Sequence, residues 1–313
     1  MSQVHTSGGQ PTLPSGRQYV LTCGASRVVV VEVGAGLRSY VADGRELLDG
    51  YGEYDRASAA RGQVLVPWPN RLGDGQYTWD GEKHQLPLTE PSKRNAIHGL
   101  ARWARWSCRR QTTRDVELVH VLPPQPGYPF ALEVAVGYSL ADDGLTVTTT
   151  AGNVGSRPLP YAAGQHPYLS ADGLVDECRL EAPGSIWLST DERGLPTGSH
   201  DAAGSEYDFR QPRVLGDTQL DIAFGKLHRD EQGRAWVRLL HPDGAGTQLW
   251  VDGSYPYVEL FTGDTVADEK RRRRGLGVEP MTAPPNALAT GTDVIRLEPG
   301  QTTRSQWGLS PAG

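Results

Sequence analysis

Ala131-Leu132-Glu133-Val134-Ala135-Val136-Gly137-Tyr138-Ser139-Leu140, followed after Ala141-Asp142-Asp143-Gly144 by Leu145-Thr146-Val147-Thr148-Thr149-Thr150-Ala151, decides the class of fold. Leu132, Val134, Val136, Tyr138 and Leu140 recur at every second position, which puts all five on one face of an extended strand. Asp143-Gly144 supplies the turn between this strand and the next. Val116–Leu122, just upstream, alternates in the same way.

The pattern continues in both directions. Upstream, Tyr19–Thr22 and Arg27–Val33 read as strands, and Val28-Val29-Val30-Val31 is too apolar and β-branched for an exposed edge. Asp43-Gly44 joins Leu37–Ala42 to Glu46–Leu48, Gln63–Val66 runs up to Pro67, and Asp80-Gly81 joins Tyr77–Trp79 to Lys83–Leu86. Downstream strands are expected at Cys178–Ala182, Ile186–Leu188, Ala235–His241, Thr247–Val251, Tyr257–Thr262, Val294–Leu297 and Thr303–Leu309. Helical spacing is scarce, and its best instance is the short Tyr54–Arg61. The chain holds 38 glycines and 23 prolines, about a fifth of its 313 residues against a usual share of roughly 12%. They are spread throughout, as many short strands with tight turns require. No linker or fixed-period repeat interrupts the series. The expectation is an all-β chain, one large antiparallel β-sandwich over residues 18–313 behind a polar, flexible leader, Met1–Arg17.

A formal net charge of −6 gives no electrostatic case for a nucleic-acid or anionic-membrane partner. Lys270-Arg271-Arg272-Arg273-Arg274 is the one dense charge block and reads as a solvated loop. Cys23, Cys108 and Cys178 are odd in number and far apart, which suits free thiols in a reducing compartment better than a disulfide frame. The leader lacks the apolar core of a signal peptide, and nowhere do 18 apolar residues run together. A soluble, cytoplasmic protein, monomer or homodimer, is expected.

Glu279 follows a short apolar run and precedes Pro280, Pro284 and Pro285, which stiffen what comes after it. It is expected at a strand end with a fixed aim, as a catalytic base needs; an ion-pairing glutamate in a turn fits the same segment. Of eight histidines, His5 lies in the leader, His200 among loop residues, and His120 and His241 in or beside strands. His98 and His166 have more telling settings. Gly99 beside His98 permits close approach of backbone or ligand, and Pro167 stiffens the chain after His166. Asn70-Arg71 offers a planar multi-donor cation. Asp221 is a carboxylate in an apolar segment, to be ion-paired or to meet a polar ligand.

Five segments in order, Asn70–Gly81 (NRLGDGQYTWDG), Ile97–Leu100 (IHGL), Gly164–Ser170 (GQHPYLS), Leu220–Phe224 (LDIAF) and Gly275–Leu288 (GLGVEPMTAPPNAL), resemble the aldose 1-epimerase (galactose mutarotase) family. The resemblance runs from Asn70 to the C-terminus. It implies a large antiparallel β-sandwich, a monosaccharide substrate and no metal or organic cofactor. It also implies Glu279 as general base, His166 as general acid and His98 as a second histidine holding the sugar near its ring oxygen. Arg71 and Asp221, with Asn70, are implied to bind hydroxyls, and Trp68, three residues from Arg71, is the candidate aromatic face. Three departures bear on which sugar is taken: His98-Gly99-Leu100 where many members have two glycines, Tyr168-Leu169-Ser170 where many have Tyr-Phe-Asn, and Gln165 where a second histidine is frequent.

The chemistry calls for a carboxylate and a protonated imidazole together, and a carboxylate near His166 is expected to favour its imidazolium. Three other readings use the same residues. A hexose-6-phosphate mutarotase needs a basic cluster, to which Arg102 and Arg105 are candidates. A sugar-binding module without activity keeps the fold. A two-histidine, one-carboxylate metal site takes His98, His166 and Glu279 as ligands.

Overall fold

The strands read at 131–151 pair as Leu132–Ala141 and Gly144–Asn153, in antiparallel register from Leu132 opposite Asn153 to Ala141 opposite Gly144. The structure, a computed structural model, describes residues 13–313. Leu132, Val134, Val136, Tyr138 and Leu140 are each at most 1% exposed. Burying an aliphatic side chain so completely contributes about 1.5–3 kcal/mol. The pair lies within a nine-stranded sheet. Asp115–Leu122 and then Ser107–Gln111 flank it on one side; Thr302–Ala312, Gly246–Val251, Ala235–Leu240, Arg179–Glu181 and Arg213–Val214 follow on the other. The C-terminal strand thus sits inside the sheet.

A second sheet runs in the order Pro196–Asp201, Gly184–Thr190, Asp221–Leu227, Tyr257–Phe261, Gly275–Met281, Gly164–Gln165, Val64–Leu65, with Tyr168–Ser170 also paired to Gly275–Met281. Both sheets feed one principal cluster of buried apolar side chains, including Leu132 and Val136 from the first and Val258, Leu260, Leu276 and Val278 from the second. This is a large antiparallel β-sandwich. A four-stranded sheet of Gln18–Cys23, Ser26–Val31, Leu37–Ala42 and Arg45–Glu46 adjoins it. Val28 to Val31 are fully buried in its second strand, as their composition requires. Among the described residues the one α-helix is the four-residue Ala287–Thr290.

Three expectations are corrected. Tyr54–Arg61 forms turns and no helix: Ala59 and Ala60 adopt left-handed φ of 48° and 58°, which a right-handed helix does not accommodate. Residues 1–12 of the expected leader, with His5, lie outside the described residues. Residues 13–17 are held against the chain just past the second strand, since Val33 N–H donates to Ser15 O (3.0 Å) and Glu32 N–H to Arg17 O (2.9 Å). The Lys270–Arg274 run is only partly a solvated loop. Arg273 is 15% exposed and paired with Asp176 (2.6 Å) and Asp264 (2.7 Å), and Arg271 pairs with Asp49.

Cys23 and Cys178 are buried, Cys108 is exposed, and all three are free. No helix among the described residues is long and apolar enough to cross a membrane.

Candidate active site

The site begins at a short ribbon. Arg71–Gly73 pairs antiparallel with Asn95–Ile97, so Asn70 and His98 face each other just beyond its end. Both adopt left-handed φ, 53° and 62°. They hold each other twice: His98 N–H donates to Asn70 O (3.0 Å), and Asn70 N–H donates to His98 Nδ1 (3.2 Å). The next residue must be glycine. A β-carbon on Gly99, at φ +71°, would stand 2.0 Å from the Val66 carbonyl oxygen. That carbonyl accepts from Leu100 N–H (2.8 Å), which ties down the chain behind His98.

His166 sits between the strands Gly164–Gln165 and Tyr168–Ser170, both of which pair with Gly275–Met281. Its main chain is held by Gln63 O and Gly62 N–H. The ring stacks on Tyr168 (centroids 4.8 Å apart, planes at 7°) and meets His98 edge to face (5.4 Å). Arg61, itself buried and paired with Asp49 (2.9 Å), lies 4.3 Å from the centre of the Tyr168 ring.

Glu279 lies inside the strand Gly275–Met281, not at a strand end, because pairing continues past Pro280: Met281 is opposite both Tyr257 and Gly164. Its carboxylate Oε1 is 3.1 Å from His166 Nε2, with both side chains about 95% buried or more. Glu259 occupies the position directly opposite Glu279 on the neighbouring strand and is equally buried.

Burial governs the charge of this cluster. His98 is pushed well below its ordinary value by desolvation, with His166, Arg102 and Arg71 adding to the effect. His166 falls to about 3 through desolvation, reinforced by Arg61 and Arg102. Glu279 is raised by desolvation, then by Glu259 and Asp221. Glu259 is raised by desolvation and Asp221. The carboxylate expected beside His166 is therefore present, but desolvation outweighs it. Burial thus favours the neutral forms of both partners, imidazole and carboxyl, across the 3.1 Å contact.

His98, His166 and Glu279 line a cavity of about 630 Å³, inside the roughly 300–1,000 Å³ range of small-molecule sites. Asn70, Arg71, Glu90, His98, Arg102, Trp103, His166, Tyr168, Asp221, Phe261 and Glu279 all reach it, as do Arg56 to Ala60 from the segment once expected to be helical. Arg71 is paired on both sides, with Glu90 (3.1 Å) and Asp221 (3.3 Å), which hold it firmly protonated against burial. Asp221 is 42% exposed at its side chain, so it meets both a cation and the open cavity.

Six of the seven sequence-proposed residues thus come together. Trp68 does not. It is 3% exposed in the apolar core, and the Trp, Tyr and Phe side chains on the cavity wall are Trp103, Tyr168 and Phe261. The left-handed turn at Asn70 separates the course of Trp68 from that of Arg71. Arg105 is also elsewhere, two-thirds exposed and 3.7 Å from Glu32. Glu259 and Glu90 went unrecognised. Glu259 carried the same signal as Asp221, a carboxylate in an apolar strand.

His98, His166 and Glu279 bring ligand-type atoms within 4.8 Å of one another, a geometry open to a metal ion. His98 fits that role poorly. Its Nδ1 lone pair accepts from Asn70 N–H, so the hydrogen of the neutral ring is on Nε2, and no lone pair remains for a metal. The same tautomer makes Nε2–H a donor for a ligand oxygen.

The model of one family, described as aldose 1-epimerase, matches residues 17–310. The chain belongs to the aldose 1-epimerase family. Among family relatives, the uncharacterized protein YihR of Escherichia coli K12 is 36% identical over 93% of this chain and 92% of its own length. The aldose 1-epimerase of the same organism is 29% identical over 72% of this chain and 69% of its own. The solved structure of a GalM/aldose epimerase homologue from C. elegans shares the fold, with a TM-score of 0.84 at 18% identity over 95% of this chain and 98% of that one. Against the aldose 1-epimerase pattern, the departure at Gln165 falls outside the cavity. Gln165 Nε2 donates to Gly62 O (3.1 Å) and Tyr138 Oη (2.8 Å) in the core. Leu169 and Ser170 are likewise absent from the cavity wall, whereas Tyr168 is on it.

Proposed function

We propose that the chain is an isomerase that interconverts the α and β anomers of an aldohexose by acid–base ring opening and reclosure. The observation that carries this reading is the His166–Glu279 pair, in direct contact and buried at the floor of a sugar-sized cavity. Moving its one proton from Glu279 to His166 creates the carboxylate and imidazolium that ring opening uses, with no exchange with solvent. Sugar hydroxyls entering the cavity supply the polar surroundings that make this charge separation affordable. Glu279 then takes the proton of the C1 hydroxyl as the C1–O5 bond breaks and C1 becomes an aldehyde, while His166 gives its proton to O5. Rotation about C1–C2 and closure on the other face return both protons, so the pair ends as it began. His98 Nε2–H donates to an oxygen of the ring region, Arg71 donates to hydroxyls, and Asp221 and Asn70 complete their hydrogen bonds. Acid–base assistance of this kind is worth about 10²–10⁴-fold.

Polarimetry on freshly dissolved α-glucose and α-galactose tests the reading. It expects an approach to rotational equilibrium that quickens in proportion to enzyme and gives a bell-shaped pH profile. Saturable sugar binding with no quickening for any aldose would replace the enzyme by a sugar-binding module.

A further inference from the structure

The cavity contains cationic charge that neither the fold nor the ring-opening chemistry uses. Arg71 is neutralised by Glu90 and Asp221, but Arg56 and Arg102, which also line the cavity, have no carboxylate within 4.0 Å among the described residues. Residues 1–12 contain no Asp or Glu that could serve. Neither guanidinium has a hydrogen-bond partner among the described residues.

Their placement is built. Both stand near the same indole, Arg56 at 5.6 Å and Arg102 at 5.9 Å from the Trp103 ring centre, and Trp103 is half exposed on the cavity wall. The main chain of Arg102 is fixed, since its carbonyl accepts from Gln63 Nε2 (2.7 Å) and Gly34 leaves it room that a β-carbon would fill. Burial lowers the Arg102 guanidinium with no counter-charge to restore it. Its charge is felt by both His98 and His166. A partly buried, uncompensated cation is costly unless something of opposite charge joins it.

We infer that Arg102 and Arg56 form a subsite for an anionic substituent at C6 of the aldose, so that the natural substrate is an acidic or esterified sugar. This rests on the epimerase reading above and narrows its substrate class. Sugar connectivity supports C6. With O5 at the histidines and the C1 hydroxyl at Glu279, the other neighbour of O5 is C5, which carries C6. C6 is also the one carbon of an aldohexose outside the pyranose ring, so a charged group on it can extend to the cavity wall where Arg102 and Arg56 stand. The paired Arg71–Asp221 suits neutral hydroxyls, and the free arginines suit an anion by charge-assisted hydrogen bonds. Phosphate, sulfate ester and carboxylate share this chemistry.

Anomer exchange measured by magnetisation-transfer NMR on glucose, glucose 6-phosphate, glucose 6-sulfate and glucuronate separates the possibilities. The wild type is expected to favour at least one anionic sugar over glucose by about tenfold or more in kcat/KM, the effect of one or two charge-assisted hydrogen bonds. The two esters ahead of glucuronate would name a tetrahedral oxyanion, and the reverse order a carboxylate. Arg102→Gln should lower kcat/KM for the preferred anionic sugar at least tenfold more than for glucose, chiefly through KM. Arg56→Gln, on an exposed side chain whose loss does not threaten folding, should do the same more weakly. Equal kcat/KM for glucose and all three anions, or a preference that survives both substitutions, overturns the subsite while leaving the epimerase reading intact. No acceleration of any sugar overturns both.

Discussion

At the scale of single residues, the account turns on how burial sets protonation. Glu259 faces Glu279 across two paired strands and is one of the groups raising it. Glu259→Gln removes that repulsion, so the alkaline limb of kcat/KM, where the pair loses its one proton, should move to lower pH; an unmoved limb would separate Glu259 from the base. The same substitution has a stability signature. Glu259 is raised by burial, so the folded chain keeps a proton that the unfolded chain releases above its ordinary value. Its contribution is whole below that value and is lost as pH rises toward the folded one. Glutamine does not ionise, so the Tm of Glu259→Gln relative to wild type should rise as pH climbs above the ordinary glutamate value. His166 works in the opposite sense. It is depressed to about 3, whereas the unfolded residue takes up a proton near 6.5, so its contribution is lost as pH falls across that window. His166→Asn should flatten the fall in Tm over that range; an equally steep fall would assign the acid sensitivity elsewhere.

At the scale of elements, the ribbon that presents Asn70 and His98 depends on one glycine. Gly99→Ala combines a left-handed φ with a β-carbon 2.0 Å from Val66 O, and should cost more than about 1 kcal/mol in denaturant unfolding. It should also raise KM by displacing His98; wild-type stability and KM would contradict the role given to this turn. The sequence announced this element through the glycine beside a histidine. It did not announce that Glu279 and Glu259 stand opposite each other, because that depends on the register between Tyr257–Phe261 and Gly275–Met281, strands fixed by tertiary pairing. Trp68 was misplaced for a related reason: closeness in sequence to Arg71 says nothing about facing across a left-handed turn. Tyr54–Arg61 had weak helical spacing over eight residues, too few to sustain a helix without packing, and turns hold its end instead, with Arg61 N–H donating to Ser58 O and Gln63 N–H to Ala60 O.

At the scale of the whole molecule, alternation at 131–151 made the sandwich readable because period-two burial leaves its mark on composition. Leu132→Ala should cost about 2–5 kcal/mol in denaturant unfolding while leaving sugar preference unchanged, since the residue lies in the core away from the cavity. The basic run at 270–274 could not be resolved in advance, because its distant partners come from three places, residues 49–50, Asp176 and residues 216–218. Arg273 alone reaches Asp176, Asp264 and the carbonyls of Gly216 and Thr218. Arg273→Met should destabilise by about 1–3 kcal/mol, measured by the same unfolding curves; a change near zero would return the run to the solvated loop first expected.

The central claim is that the buried His166–Glu279 pair moves protons between the C1 hydroxyl and the ring oxygen. Its most direct test is the rate of anomer exchange for wild type and Glu279→Gln side by side, with sugar binding and Tm followed on the same samples. The account predicts that the substitution lowers the rate by about 10²–10⁴-fold while the protein still folds and binds sugar. Exchange at the wild-type rate in the variant would remove Glu279 from the reaction and contradict the mechanism.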